Sequence, residues 1–99
     1  ANFIEGSEDE LDLVVEMMEE NSDVQIFLKG HTDNQGNPIM NIQLSQERVM
    51  AVTEYLVQKG IDESRITGKG FGGEQPIASN AQEATRKLNR RVEFEVQRN

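Results

Sequence analysis

Leu11, Val14, Val15 and Met18 recur at i, i+3, i+4 and i+7, which places them on one stripe of an amphipathic helix. Ser7 followed by Glu10 forms a capping box ahead of that stripe, and Asn21-Ser22-Asp23 breaks it, so the helix spans about residues 8–20. From Val24 the period changes to two. Val24, Ile26 and Leu28 alternate with Gln25, Phe27 and Lys29, a strand with both faces partly apolar. Gly30 to Pro38 hold two glycines, a proline and four Asx or Thr residues, a loop composition of the kind that carries sites. Helical spacing returns from Leu44-Ser45 onward. Val49, Val52 and Leu56 fall within about 60° of arc on a helix of 3.6 residues per turn, and Gly60 caps the end. Arg48 lies at the rim of that apolar face, in line with Tyr55 and Lys59.

Beyond this helix, Arg65 to Phe71 reads as a strand weakened by Gly68 and Gly70, leading into a Gly72-Gly73 loop. Asn80 with Glu83 makes a second capping box for a short helix to about Leu88. Val92, Phe94 and Val96 then alternate with Arg91, Glu93, Glu95 and Gln97 as a half-buried strand. Helices separating strands that share one sheet give an α/β fold, a two-layer sandwich. Ninety-nine residues make one domain, 1–99, with a thin core and room for one small site.

Eighteen acids against ten bases leave a net charge of −8, which argues against duplex nucleic acid and anionic membrane as partners. The acids concentrate at one end. Residues 1–23 carry nine acids and no base, whereas residues 86–99 carry five bases and two acids, which reads either as a solvated acidic helix face with a basic strand end, the commoner case, or as an attraction between the two ends. There is no cysteine, which excludes disulfides, thiol nucleophiles and thiolate metal sites. No apolar run approaches the roughly 20 residues of a membrane span, and no signal-peptide or lipidation motif is present, so no direct membrane insertion of this segment is expected.

Candidate chemistry is sparse. Gly68, Gly70 and Gly73 satisfy the spacing G-x-G-x-x-G, but Glu74-Gln75-Pro76 follows where a dinucleotide site needs a helix, so these glycines instead let a strand pass close to neighbouring backbone. His31 and Asp33 would supply two metal ligands, short of the three a catalytic site needs, with no second histidine in the chain. No serine sits in a nucleophile elbow. No cofactor, metal or catalytic residue is expected, and the chain is not read as an enzyme. What remains is Asp33 in the loop and Arg48 on the helix that packs back beside the strand, with Thr32, Asn34 and Asn41 nearby in sequence. Such a pair is either a structural ion pair, the commoner case, or a receptor for a zwitterion in which carboxylate meets ammonium and guanidinium meets carboxylate.

These residues carry a resemblance. Gly30-His31-Thr32-Asp33-Asn34-Gln35-Gly36, Asn41-x-x-Leu44-Ser45-x-x-Arg48, Tyr55-Leu56-x-x-x-Gly60, Arg65-Ile66, Gly70-x-Gly72, Pro76, Asn80 and Asn89-Arg90-Arg91-Val92-Glu93 resemble the OmpA/MotB family of peptidoglycan-binding domains, over about residues 24–96. The resemblance implies helices packed on one mixed β-sheet in the order βαβαβ(α)β. It also implies an anchor on the periplasmic side of a Gram-negative outer membrane, part of a larger membrane-attached protein, that binds peptidoglycan noncovalently. The ligand it implies is the diaminopimelate residue of the stem peptide. Asp33 would take its ammonium and Arg48 its carboxylate, while Thr32, Asn41 and backbone near Leu44 complete the hydrogen bonds. Arg90, with Val92 on the inward face, would support the site from behind. Thr85-Arg86 and Val49 depart from the family pattern beside the site without removing a charge. The family's first strand is expected to be shortened or cut away here, since only Ala1-Asn2-Phe3-Ile4 precedes the first capping box. A bare sheet edge would then invite self-association. An envelope protein-protein docking module on the same fold is the competing expectation.

Overall fold

The structure, a computed structural model, describes residues 2–4 and 8–98. Its elements are β1 (Asn2–Ile4), α1 (Glu8–Glu20), β2 (Val24–His31), α2 (Pro38–Gln58), β3 (Ile66–Gly72), α3 (Glu83–Arg86) and β4 (Arg91–Arg98), with 3-10 turns at Glu63–Arg65 and Lys87–Asn89. One four-stranded mixed sheet runs in the order β1-β4-β2-β3. β2 and β3 are parallel, as the intervening α2 requires, and β4 is antiparallel to both β1 and β2. The expected two-layer α/β sandwich is therefore what the chain forms.

Alternation places Val24, Ile26 and Leu28 of β2 with Ile66 of β3 and Val92 and Phe94 of β4 on the face that meets the helices. Against them pack Leu11, Val15 and Met18 of α1 and Val49, Val52 and Leu56 of α2. The core ends on β4 at Phe94. Val96, expected inside, is 48% exposed, because the last four residues of β4 are all exposed. Acidic α1 has no base in its last turn. Arg65 supplies one from a distance, donating through Nη2 to the carbonyls of Met18 (2.9 Å) and Asn21 (2.8 Å) and through Nε to Val24 O (3.0 Å). Among the described residues the chain's two ends meet in an exposed pair, Arg98 Nη1 to Asp23 Oδ2 at 2.9 Å.

Several expectations need correction. α2 starts at Pro38, six residues before Leu44, because Asn37 caps it by accepting from the amides of Ile39 (2.8 Å) and Met40 (3.2 Å). Pro38 then occupies the first helical position, where its missing N–H costs nothing. Asn80 caps no helix. The residue before α3 is Gln82, and Asn80 Oδ1 instead accepts from Asn89 Nδ2 at 2.9 Å. The first strand is short but present, and it covers β4 at Arg91, Val92 and Glu93, the edge expected to be bare. Of the first capping box, Ser7 lies outside the described residues.

Glycine brings α2 onto the sheet. A Cβ on Gly70 would lie 2.6 Å from both the Gln46 amide nitrogen and Ser45 Oγ, and one on Gly30 would collide with the Ser45 carbonyl. The helix thus rests directly on the backbones of β2 and β3, in agreement with the close-approach reading of Gly70. At the strand ends, Gly72 adopts φ +61°, donates its amide to Ser45 Oγ (2.9 Å) and accepts from Thr32 N (2.8 Å). The loop after β2 is thereby fastened to β3 and to α2 at once.

Candidate functional site

β2 delivers its last residues to the mouth between sheet and α2. Thr32 is buried and donates through Oγ1 to Asp33 O at 2.8 Å. Asn41, on the first turns of α2, reaches back with Nδ2 to Gln35 O (2.9 Å) and Asp33 O (3.5 Å). The loop's carbonyls are satisfied by these two side chains, which fixes the direction of Asp33. Its carboxylate accepts from Gln35 N through Oδ1 (3.0 Å) and from Arg90 Nη1 through Oδ2 (2.8 Å), and its side chain is 13% exposed. Arg48 Nη1 donates to His31 O at 3.3 Å, so its guanidinium sits at the end of the same strand, two residues before Asp33.

Thr32, Asp33, Asn41, Arg48 and Arg90 thus meet at one loop mouth. Leu44 lies further along α2, where its amide belongs to the helical ladder, and what it offers outward is a side chain 40% exposed. Beside the loop, Asn34, Pro38, Asn41, Ile42, Gly73 and Glu74 line a cleft of about 170 Å³.

Arg90 does not take the inward parity expected of it. It precedes β4 with φ −85° and ψ 87°, outside the strand's alternation, and the buried arginine is Arg91, on the sheet face opposite Val92. Arg91 donates to Glu93 Oε2 (2.8 Å), Asn89 O (3.3 Å) and Gln75 O (3.0 Å), while Arg90 faces the site. Arg90 bridges Asp33 and Glu83, with Nη2 at 2.7 Å from Glu83 Oε1, and these carboxylates hold the guanidinium above its ordinary range. Glu83 in turn accepts from Arg86 through Oε2, from Nη2 at 2.5 Å and Nε at 3.1 Å. Hydrogen bonds from Arg90 first and Arg86 second lower its carboxyl below the usual range.

Asn89 and His31 build the floor. Fully buried Asn89 accepts from the amides of Ile77 (2.7 Å) and Ala78 (3.1 Å) and donates to Ala78 O (3.0 Å) and Asn80 Oδ1. His31 is also fully buried, stacked on Phe71 at 5.6 Å, with Nε2 3.4 Å from Glu93 Oε1 and neither ring nitrogen hydrogen-bonded. Burial, and after it the charge of Arg91, lowers its pKa from the ordinary 6.5. His31 and Asp33 face different partners, and among the described residues no three His, Asp or Glu side chains gather as a metal site would need. Sequence reasoning missed Glu83 and Arg91 as parts of this end of the molecule and, though it set Arg86 beside the site, gave it no partner. Only the i, i+3 spacing of Glu83 and Arg86 signalled their pairing.

The chain is thus a two-layer α/β domain that holds a carboxylate and a guanidinium at the end of its second strand. The chain belongs to the OmpA family, which it matches over residues 2–90. It is 46% identical over 72 residues to outer membrane porin F of Pseudomonas fluorescens, covering 73% of this chain and 22% of the relative. To the peptidoglycan-binding protein ArfA of Mycobacterium tuberculosis it is 38% identical over 96 residues, 97% of this chain and 29% of that one. The chain thus spans less than a third of the length of either of these relatives. Among solved structures it superposes on the peptidoglycan-associated lipoprotein from Burkholderia pseudomallei with a TM-score of 0.87 and 26% identity, covering 94% of this chain and 79% of that one. No helix is long and apolar enough to cross a membrane among the described residues.

Proposed function

We propose that residues 1–99 act as one peptidoglycan-binding domain, which grips the diaminopimelate residue of the stem peptide and anchors a larger envelope protein to the wall from the periplasmic side of the outer membrane. Asp33 takes the ammonium of the side-chain amino acid head and Arg48 its carboxylate, with Thr32 and Asn41 shaping the loop between them and Leu44 flanking it. Peptidoglycan is named in two of the similar proteins, ArfA and the Burkholderia lipoprotein, and porin F supports the outer-membrane setting. The observation that carries the reading is the separate anchoring of the two charges: Asp33 by Gln35 N and Arg90, Arg48 by the His31 carbonyl. A carboxylate offers about four acceptor positions, and hydrogen bonds from the described residues fill two of Asp33's. Room is left for an ammonium.

Removing either charge would leave one end of the ligand desolvated without its partner, at about 2–5 kcal/mol or roughly 30- to 4,000-fold in affinity. Isothermal titration with a diaminopimelate-containing muropeptide is expected to lose that much in Asp33→Asn and in Arg48→Ala, while circular dichroism shows both folded. A muropeptide with lysine in place of diaminopimelate lacks the carboxylate and should bind wild type as weakly as Arg48→Ala binds the native ligand. Undiminished binding by either variant would remove that residue from the site. Failure of purified wall to retain the wild-type domain would favour the protein-protein docking module.

A further inference from the structure

Arg86 stands between two carboxylates. Its Nε is 3.1 Å from Glu83 Oε2 and 4.0 Å from Asp33 Oδ2, while Nη2 closes a second contact to Glu83 at 2.5 Å. Glu83 therefore wins this guanidinium, and with Oε1 it also takes one end of Arg90, whose other end rests on Asp33. The four side chains sum to zero charge. Remove the Glu83 carboxylate and they carry +1, with Arg86 released beside Asp33 and Arg90 bound to Asp33 alone. We propose that Glu83 is a positioning residue for ligand binding: by drawing Arg86 and half of Arg90 away from Asp33, it keeps the Asp33 carboxylate available to a cationic group. This rests on the reading of Asp33 as an ammonium acceptor, and it assigns affinity control to a side chain on α3 that is 59% exposed.

The effect is selective for charge. A local +1 opposes an ammonium and leaves the Arg48 end untouched, so the loss falls on ligands with a free amine. Screening at this exposed position holds the loss to about three- to tenfold at low salt, shrinking as salt rises.

The test is titration of the diaminopimelate-containing muropeptide, and of the same muropeptide with its side-chain amine acetylated, against wild type, Glu83→Gln, Arg86→Gln and the double variant. Glu83→Gln is expected to weaken the free-amine ligand about three- to tenfold and the acetylated ligand by less than twofold. The double variant, neutral again and without the released guanidinium, is expected to return to within about twofold of wild type. A role confined to holding α3 together would give the opposite pattern, since removing Arg86 as well would compound the loss. Unchanged affinity in Glu83→Gln, or a loss that the double variant deepens, overturns the proposal while Asp33→Asn still reports on the site itself. If Asp33→Asn also binds normally, the ammonium reading falls and takes this inference with it.

Discussion

Asn89 is the cheapest place to unfasten the half of the molecule that carries Glu83, Arg86 and Arg90. Its amide is fully buried and all four of its hydrogen-bonding positions are used, holding Ile77 N, Ala78 N, Ala78 O and Asn80 Oδ1. Asn89→Ala strips partners from two amides and a carbonyl that are only partly buried, so water replaces some of the loss. At about 1 kcal/mol for each of these three groups, reduced or raised by how much water enters, the cost is about 2–4 kcal/mol. For a domain near 100 residues that lowers the melting temperature by roughly 10–25 °C. Asn89→Asp sharpens the test, because the shape is kept and the acceptor still serves Ile77 and Ala78, while the donor becomes an acceptor facing Ala78 O and Asn80 Oδ1. At pH 7 it should be at least as unstable as Asn89→Ala. Protonation returns the missing donor, and burial against two acceptor oxygens raises the carboxyl's folded pKa, so relative to wild type Asn89→Asp should recover as pH falls toward the ordinary carboxylate range, and Asn89→Ala should not. Urea denaturation followed by far-UV circular dichroism at pH 7 and pH 4 measures all three proteins. A loss under about 0.5 kcal/mol for Asn89→Ala, or no differential recovery of Asn89→Asp, would refute the clamp.

Gly70→Ala places a Cβ 2.6 Å from the backbone nitrogen of Gln46, which cannot give way, so α2 must lift from β3; a cost of about 1–3 kcal/mol is expected in chemical denaturation, and a neutral result would show that the helix does not rest on the strand as described. His31 has a folded pKa lowered from 6.5 by burial and by Arg91, so as pH falls the unfolded chain takes the proton first; its contribution is fully present above pH 6.5 and drains away below it. Wild type should lose stability as pH falls below 6.5 and His31→Phe should not, a loss that begins above the range in which Glu83, Glu93 and Glu95, all lowered from 4.5, are protonated.

What periodicity governs was legible. The stripe on α1, the core face of β2 and the row Val49, Val52, Leu56 are each set by local spacing and meet one common layer. The start of α2 was hidden because Asn37-Pro38 reads equally well as loop punctuation and as a cap with proline at the first helical position, and only the Asn37 side chain's contacts with Ile39 and Met40 decide between them. The parity of Arg90 failed for a similar reason. A two-residue period assigns faces only inside the strand, and Arg90 sits one residue outside it with non-extended backbone. Asn80 and Glu83 have capping-box spacing, yet Asn80 is taken by Asn89, nine residues away, and Glu83 by two arginines. Pattern sees neighbours along the chain, and these side chains chose partners that the fold brought to them.

The arrangement of arginines explains why the proposed receptor can exist without collapsing into its own ion pair. An acid and a base free to meet would neutralise each other and leave nothing for a ligand. Here Asp33 is turned toward Arg90, which arrives from the start of β4, while Arg48 is tied to a backbone carbonyl of β2. Arg90 would neutralise Asp33 just as surely if it came alone, but Glu83 shares it and occupies Arg86 as well. Arg91, the neighbour that does enter the interior, holds the carbonyls of Gln75 and Asn89 and so fixes the segment from which Arg90 reaches out. A buried carbonyl holder and a shared exposed anion respond to different perturbations. Salt and Glu83 substitutions should therefore tune affinity with little change in melting temperature, whereas Asn89 and Arg91 substitutions should change both together.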